Sequence, residues 1–155
     1  LEQLPARHLY SFIFSLISLL FHKILLNMKD QTTHSKESVT HTKSKLFAIR
    51  IIRFYKYLTE EKKEFIISKQ LMRSGTSIGA NIRESYFAQS QADFIHKLNI
   101  ALKEADETAY WLELLVESNI IEEHMFNSLY TDVKEIIALL VASIKTAKEK
   151  TTAQA

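Results

Sequence analysis

The sequence predicts an all-α protein: an up-and-down four-helix bundle that follows a disordered or extraneous N-terminal extension. Between residues 44 and 150, apolar side chains recur every three or four positions, which places them on one face of a helix. The same stretch contains no proline and only two glycines, so few residues in it break helices. No segment of it alternates apolar and polar residues as a half-buried strand does.

Length and composition indicate one globular domain. The chain has 155 residues, of which 46% are hydrophobic and 25% charged, ordinary values for such a domain. The absence of Cys excludes disulfides, thiolate metal sites and a Cys nucleophile, and it fits a cytoplasmic location, which we expect. A formal net charge of +2 does not by itself indicate nucleic-acid binding, so such a role needs local clustering of charge or an oligomer that gathers it.

The N-terminal residues differ in character from the rest. Segment 9–21 contains only apolar and hydroxyl-bearing side chains. It is open to three interpretations: a signal peptide without a small-residue cleavage site, a membrane anchor shorter than the roughly 18 apolar residues needed, or an upstream extension from a mis-assigned start. We favour the third, because the chain opens with Leu and Met28 reads like a natural beginning. The predicted parts are a hydrophobic extension at 1–27, a flexible leader rich in Ser, Thr and Lys at 28–43, the bundle domain at 44–150 and a polar tail at 151–155.

Local signals set the expected ends of the helices. Thr59 is a good N-cap for the second helix, with acidic residues directly after it. Ser90 and Asp93 resemble a capping box at the start of the third helix. Asn119 ends that helix, because Asn tolerates the left-handed conformation. The predicted helices span residues 44–58, 60–88, 91–117 and 122–148.

Both glycines lie four residues apart in the predicted second helix, within the run R-S-G-T-S-I-G-A-N. Inside a helix, each glycine lowers stability by roughly 1 kcal/mol relative to alanine, so the presence of two glycines needs an explanation. Residues at i and i+4 share one face, and a strip of small side chains allows another helix to approach closely. We predict a helix-packing motif, within one bundle or between subunits, formed by Gly75, Ser77, Gly79, Ala80 and Asn81.

No constellation of residues predicts catalysis. The run G-T-S-I-G-A-N lacks the spacing and the Lys of a phosphate-binding loop. A di-iron bundle needs two Glu-x-x-His pairs, whereas the chain has a single Asp93-x-x-His96. We therefore predict no catalytic residue, no metal and no cofactor. Polar residues expected at the apolar seam, where buried hydrogen bonds set helix register, are Asn81, Asn99 and Thr108.

The cationic side of the first helix is the best candidate for binding. Arg50 and Arg53 lie at i and i+3 with Lys56 and Tyr57 beside them, a set suited to contacting phosphates and stacking on a base. A solvated outer helix face is the alternative, and the sequence leaves both open. The candidate nucleic-acid contacts, extended onto the second helix, are Arg50, Arg53, Lys56, Tyr57, Arg73 and Arg83.

Two ordered motifs resemble a known family. R-S-G-T-S-I-G-A-N at 73–81 is followed by E-T-x-Y-W-L at 107–112. In this order they resemble the 23S rRNA intervening-sequence protein family, also called the four helix bundle protein family. The similarity covers about residues 44–144 and leaves out 1–27. It implies a four-helix bundle that assembles as a homopentamer, and reading frames that lie within intervening sequences of bacterial 23S rRNA genes. It also implies kinship with accessory proteins of diversity-generating retroelements, which bind nucleic acid and a reverse transcriptase.

Together these observations lead us to expect a non-enzymatic homo-oligomer that binds nucleic acid, RNA or DNA, with structured RNA as the first choice. A pentamer would multiply the basic cluster of the first helix fivefold. The second hypothesis is a protein-interaction scaffold, for example an accessory subunit of a reverse transcriptase. An enzyme would need a cleft and acids of shifted pKa, which the sequence does not indicate, and we expect no small-molecule substrate.

Overall fold

Four α-helices account for most of the part of the chain that the structure, a computed structural model, describes, residues 38–153. They are α1 (Val39–Glu60), α2 (Ile67–Ser85), α3 (Gln91–Glu117) and α4 (Glu123–Ala153). Short turns connect them. Each helix packs on the next, and α1 also meets α4, so α1 and α3 lie at opposite corners of the bundle. The predicted all-α four-helix bundle is confirmed. The predicted extension at 1–27, and the predicted leader up to residue 37, lie outside the described residues.

The core is one apolar seam to which every helix contributes. Buried positions follow steps of three and four along each helix, as the sequence pattern predicts. Burying one such aliphatic or aromatic side chain contributes roughly 1.5–3 kcal/mol, so this seam is the main source of stability. The largest side chains that are almost wholly buried include Phe47, Ile51, Leu58, Leu71, Ile78, Leu112, Leu115, Ile136 and Leu140.

Two helices extend beyond their predicted ends. Helix α1 begins at Val39 instead of residue 44, so the last part of the predicted leader is helical. Its polar side chains are held by the fold: Ser44 is buried and donates to the carbonyl of His41, and Lys43 reaches Glu135 on α4 at 2.8 Å. Helix α4 continues to Ala153, into the predicted tail. At the start of α1, the ion pair of Lys43 with Glu135 on α4 supports the helix in spite of its polar composition.

The turn between α1 and α2 corrects the predicted N-cap. The hydroxyl of Thr59 donates back into α1, to the carbonyl of Tyr55 at 3.0 Å, so it does not cap the next helix. Helix α1 continues through Glu60, and the chain turns through Lys63, whose φ of 56° lies in the left-handed region. Helix α2 begins at residue 67 and not at residue 60.

Glu64 satisfies the free backbone donors at the start of α2. Its carboxylate accepts from the N–H groups of Ile66 at 2.9 Å, Ile67 at 2.8 Å and Ser68 at 2.6 Å. These are the donors that the first turn of a helix leaves without intrahelical partners. A carboxylate at this end is also favoured by the helix dipole. Glu64 thus caps the start of α2, the role that the sequence pattern assigned to Thr59.

Replacing Glu64 with Gln tests this cap through its pH dependence. Burial by itself raises the pKa of the Glu64 carboxyl, but the N–H groups of Ile67, Ser68 and Ile66 outweigh it and lower the pKa below its usual 4.5. A carboxyl whose pKa is lowered by folding stabilises the fold above its unfolded pKa and loses that effect as the pH falls through its folded pKa. We expect Glu64→Gln to lower the free energy of unfolding by about 1 kcal/mol near neutral pH. In urea unfolding repeated at increasingly acidic pH, the difference should shrink as the pH falls through the folded pKa of Glu64, and a difference that does not change with pH would contradict this role.

At the other two turns, the residues predicted from the sequence to begin and end α3 are the ones observed there. The side chain of Ser90 accepts from the N–H of Asp93 at 3.1 Å, and the Asp93 carboxylate accepts from the N–H of Gln89 at 3.1 Å. The predicted capping box is confirmed, although Asp93 reaches one residue further back than the N-cap. Asn119 has a φ of 56°, the predicted left-handed conformation. No helix within residues 38–153 combines the length and the apolar character that a membrane span requires.

Candidate nucleic-acid interface

The two glycines determine how closely α2 approaches α1. A Cβ atom at Gly75 would lie 2.9 Å from Cγ1 and 3.0 Å from Cγ2 of Ile51. A Cβ atom at Gly79 would lie 3.5 Å from Oγ of Ser44 and 3.6 Å from its carbonyl carbon and oxygen. The strip therefore packs within one bundle, against α1. This contact places the side of α1 that carries Ser44 and Ile51 against α2, so the opposite side of α1 points outward.

The other three members of the predicted packing motif contribute less. Ser77 is half-buried, Ala80 is exposed, and Asn81 donates to the carbonyl of Ser77 at 2.9 Å within its own helix. Asn99 likewise donates to the carbonyl of Ile95 at 2.8 Å. The expectation that these two amides set helix register is wrong, because each is satisfied by the preceding turn of its own helix.

Thr108 does form the expected buried hydrogen bond between helices. Its hydroxyl lies 2.9 Å from that of Ser74 on α2, and both side chains are completely buried. The Ser74 hydroxyl in turn donates to the carbonyl of Gln70 at 3.0 Å. The Thr108 hydroxyl also has an acceptor in its own helix, the carbonyl of Glu104 at 2.7 Å, so a shift of α2 along α3 would break the hydrogen bond between the helices and leave those within them. The pair therefore favours one register of α2 on α3.

Arg50 connects two helices and is not a free cation. Its guanidinium forms an ion pair with Asp132 and donates to the hydroxyl of Ser128 at 2.7 Å, both on α4. Together with the Lys43–Glu135 pair, it provides the polar contact between α1 and α4. The structure thus assigns Arg50 to packing, although the sequence placed it among the phosphate contacts.

Arg73 is also committed to a neighbouring helix. It forms an ion pair with Glu107 on α3, whose Oε1 also accepts from the indole N–H of Trp111 at 3.1 Å. A second acid, Glu104, lies 3.9 Å from the guanidinium. Arg73 therefore faces α3 and its acids, a poor place for a phosphate contact. Arg83, by contrast, is exposed on the last turn of α2, and its side chain has no hydrogen-bonding or ionic partner within residues 38–153.

The ring of Tyr57 already has partners in the protein. It stacks on Phe54, with ring centroids 5.9 Å apart and planes 19° apart. The ammonium of Lys62 lies 5.7 Å from its centroid. Tyr57 is half-buried by these contacts, so it is not placed to stack on a base as the sequence suggested.

Two of the predicted contacts, Arg53 and Lys56, remain exposed on α1, and their side chains have no partner within residues 38–153. Lys45 shares both properties and lies on the same side of the helix, although the predicted set omits it. No acidic residue occurs in α1 before Glu60. We call this side the outer face of α1; its residues are Lys45, Leu46, Ile49, Ile52, Arg53 and Lys56.

The outer face also carries apolar side chains that the set of candidate binding residues did not include. Leu46 is 57% exposed, Ile49 39% and Ile52 38%. All three lie off the buried stripe of α1 on a helical wheel, and this offset is the signal that could have revealed them. The outer face is thus a cationic surface with an apolar strip, and it can attract phosphates or pack against a partner. No cluster of three or more His, Asp or Glu side chains suited to a metal ion occurs within residues 38–153.

Comparison with known proteins identifies the family. The family model described as 23S rRNA-intervening sequence protein matches residues 36–142. The chain belongs to this family. Among solved structures, it is 58% identical to a protein with unknown function from the S23 ribosomal protein family of Bacteroides thetaiotaomicron VPI-5482. That match covers 69% of this chain and 99% of the other, with a TM-score of 0.69. No curated protein matches the chain.

The motifs that carry the resemblance to the intervening-sequence family lie where helices pack together. Ser74 meets Thr108, Arg73 meets Glu107, and Gly75 meets Ile51. The first two contacts join α2 to α3, and the third joins α2 to α1. In this member of the family, the motifs therefore build the bundle, and the exposed cations of α1 lie outside them.

Proposed function

We propose that this intervening-sequence protein is a non-enzymatic, cytoplasmic homo-oligomer that binds nucleic acid, structured RNA before DNA, through the outer face of α1. One observation carries the proposal: Lys45, Arg53 and Lys56 are exposed and unpaired within residues 38–153, on a helix without an acid before Glu60. Cations that are not neutralised by the protein are available to displace the counterions of a phosphate backbone.

Oligomerisation strengthens this reading. One bundle offers a small cationic face, and the net charge of the chain is only +2. The pentamer that the family resemblance implies would present five such faces. Simultaneous contact with one RNA then raises the apparent affinity through effective concentration, without any new type of contact.

A protein-interaction scaffold is the second candidate, and a specific observation favours it. Leu46, Ile49 and Ile52 expose apolar surface between the cations, and phosphate contacts do not require such surface. A partner protein with an apolar, acidic surface would cover it. A reverse transcriptase is the kind of partner that the family resemblance implies.

Binding of the full chain to a labelled stem-loop from 23S rRNA, followed by fluorescence anisotropy across a salt series, tests the proposal. The logarithm of the binding constant should fall linearly with the logarithm of salt concentration, by about 0.7 to 0.9 for each phosphate contacted. Preference over a scrambled RNA would mean that structure or sequence is recognised, and intact RNA after incubation is expected of a protein that is not a nuclease. Absence of binding at the lowest salt would overturn the proposal and favour the scaffold.

A further inference from the structure

A second surface that combines cations with an exposed aromatic ring lies at one end of the bundle, where the α2–α3 turn meets the end of α4. Phe87 projects from this turn and is 81% exposed, an unusual position for a Phe side chain. Beside it, the Tyr86 ring is half exposed and makes an edge contact with the ring of His41, with centroids 5.9 Å apart. The turn is held by hydrogen bonds from the N–H of Phe87 to the carbonyl of Glu84 at 3.0 Å and by the capping box at Ser90. A firmly held turn thus presents an aromatic ring to solvent.

Several cations lie at the same end of the bundle as this ring. Arg83 lies four residues before Phe87 and is exposed and unpaired within residues 38–153. The last turns of α4 reach the same end, because the side chain of Gln91 donates to the carbonyl of Ala147 at 3.3 Å. These turns carry Lys145, Lys148 and Lys150, all exposed.

The acids at this end are largely engaged within the protein. Glu84 forms an ion pair with Lys97 at 2.6 Å, and this hydrogen bond raises the pKa of Lys97. Asp93 serves as the cap of α3, and Glu149 is exposed among the lysines of α4. The balance of charge at this end is therefore positive. We call it the basic end; it comprises Arg83, Tyr86, Phe87, Lys97, Lys145, Lys148 and Lys150.

The opposite end of the bundle provides a natural contrast. Phe65, in the α1–α2 turn, is also exposed, at 51%. The α1–α2 turn carries the acids Glu60, Glu61 and Glu64 beside Lys62 and Lys63, and the α3–α4 turn adds Glu122 and Glu123. An exposed aromatic residue is thus present at both ends, but acids outnumber cations around Phe65, whereas cations outnumber acids at the basic end.

We infer that the basic end binds unpaired nucleotides, with Phe87 stacking on a base while Arg83 and the lysines of α4 contact the flanking phosphates. The inference rests on the proposed nucleic-acid function and specifies its substrate as RNA with single-stranded loops or ends. A base in a duplex is covered on both faces by its neighbours, whereas an unpaired base offers a face to an aromatic side chain. The protein then reads a stem through the outer face of α1 and a loop through the basic end.

The experiment compares Phe87→Ala, Phe87→Tyr and the matched control Phe65→Ala, each as full chain, on a single-stranded RNA and on a fully paired RNA. Phe87→Ala should weaken binding to the single strand roughly tenfold, the size of one lost stacking contact, and leave binding to paired RNA unchanged. Phe87→Tyr should bind like wild type, because it keeps the ring, and so should Phe65→Ala. A Phe87→Trp variant adds a direct readout, since stacking on a base should quench the fluorescence of the new indole, measured as the difference from wild type, which carries Trp111 alone.

The outcomes separate the two proposals. If wild type binds RNA but Phe87→Ala binds the single strand equally well, or weakens paired RNA to the same extent, the stacking inference is overturned and the proposed function stands. If wild type binds neither RNA at low salt, both fall. Absence of quenching of Phe87→Trp in a saturated complex would also overturn the inference, because the ring would then lie outside the contact.

Discussion

Replacing Gly75 with alanine is expected to destabilise the bundle by about 1–3 kcal/mol, the usual cost of overpacking a core. The added Cβ would lie 2.9 Å from Cγ1 and 3.0 Å from Cγ2 of Ile51, closer than carbon atoms pack. Ile51 is completely buried and is branched at Cβ, so it has no free rotamer to move into. In a helix without such a neighbour, replacing glycine with alanine would raise the free energy of unfolding by roughly 1 kcal/mol. A loss of stability on Gly75→Ala would therefore indicate the close contact with Ile51.

Gly79→Ala is the matched control for this prediction. Its Cβ would lie 3.5 Å from Oγ of Ser44, an ordinary contact, so the helix propensity of alanine should leave the protein unchanged or up to about 1 kcal/mol more stable. Urea unfolding followed by circular dichroism measures both. Ile51→Ala removes the atoms that Gly75→Ala would meet, so the double variant should lose less stability than the two changes summed. Equal stability of the two alanine variants would show that the glycines are not distinguished by packing.

The sequence predicted the helix ends well where the decisive residues are local. The start and end of α3 follow from the capping box at Ser90 and the left-handed Asn119, and both lie where predicted. The prediction that Thr59 is an N-cap was wrong because its hydroxyl has a competing acceptor in its own helix. Glu64 was missed because a carboxylate that caps a helix from the turn before it follows no simple spacing rule. The start of α1 was missed for another reason: its Lys43 pairs with Glu135 on α4, a contact that no local pattern contains.

The same distinction between local and long-range contacts explains which properties of the candidate site the sequence could predict. Charge and helical spacing identified Arg50, Arg53 and Lys56 as one cationic group. They did not reveal that Arg50 is neutralised, because its partner Asp132 is far along the chain and is brought near only by the packing of α4 on α1. The contact of Tyr57 with Phe54 is local, so closer attention to neighbouring positions would have found it.

Reversing the charges of Lys45, Arg53 and Lys56 to Glu together is expected to have the largest effect on nucleic-acid binding. If each cation contacts one phosphate, the plot of log affinity against log salt concentration should become less steep. Its slope should decrease in magnitude by about 0.7 to 0.9 for each contact removed, counted over every subunit that touches the RNA. The introduced acids also repel the backbone, so we expect no measurable binding at physiological salt. The fold should tolerate the change, because surface substitutions away from specific contacts usually alter stability by less than about 0.5 kcal/mol.

Two controls make this expectation decisive. Reversing Lys69 and Lys103, which are exposed and unpaired within residues 38–153 on α2 and α3, changes the net charge without touching the outer face of α1. Those variants should retain most of the RNA affinity. Arg50→Ala should show the opposite pattern, lower stability with little loss of affinity, because Arg50 is bound to Asp132 and Ser128. If the reversal on α1 binds RNA as tightly as the reversal on α2 and α3, the outer face of α1 is not the interface, and its apolar strip is better explained by a protein partner.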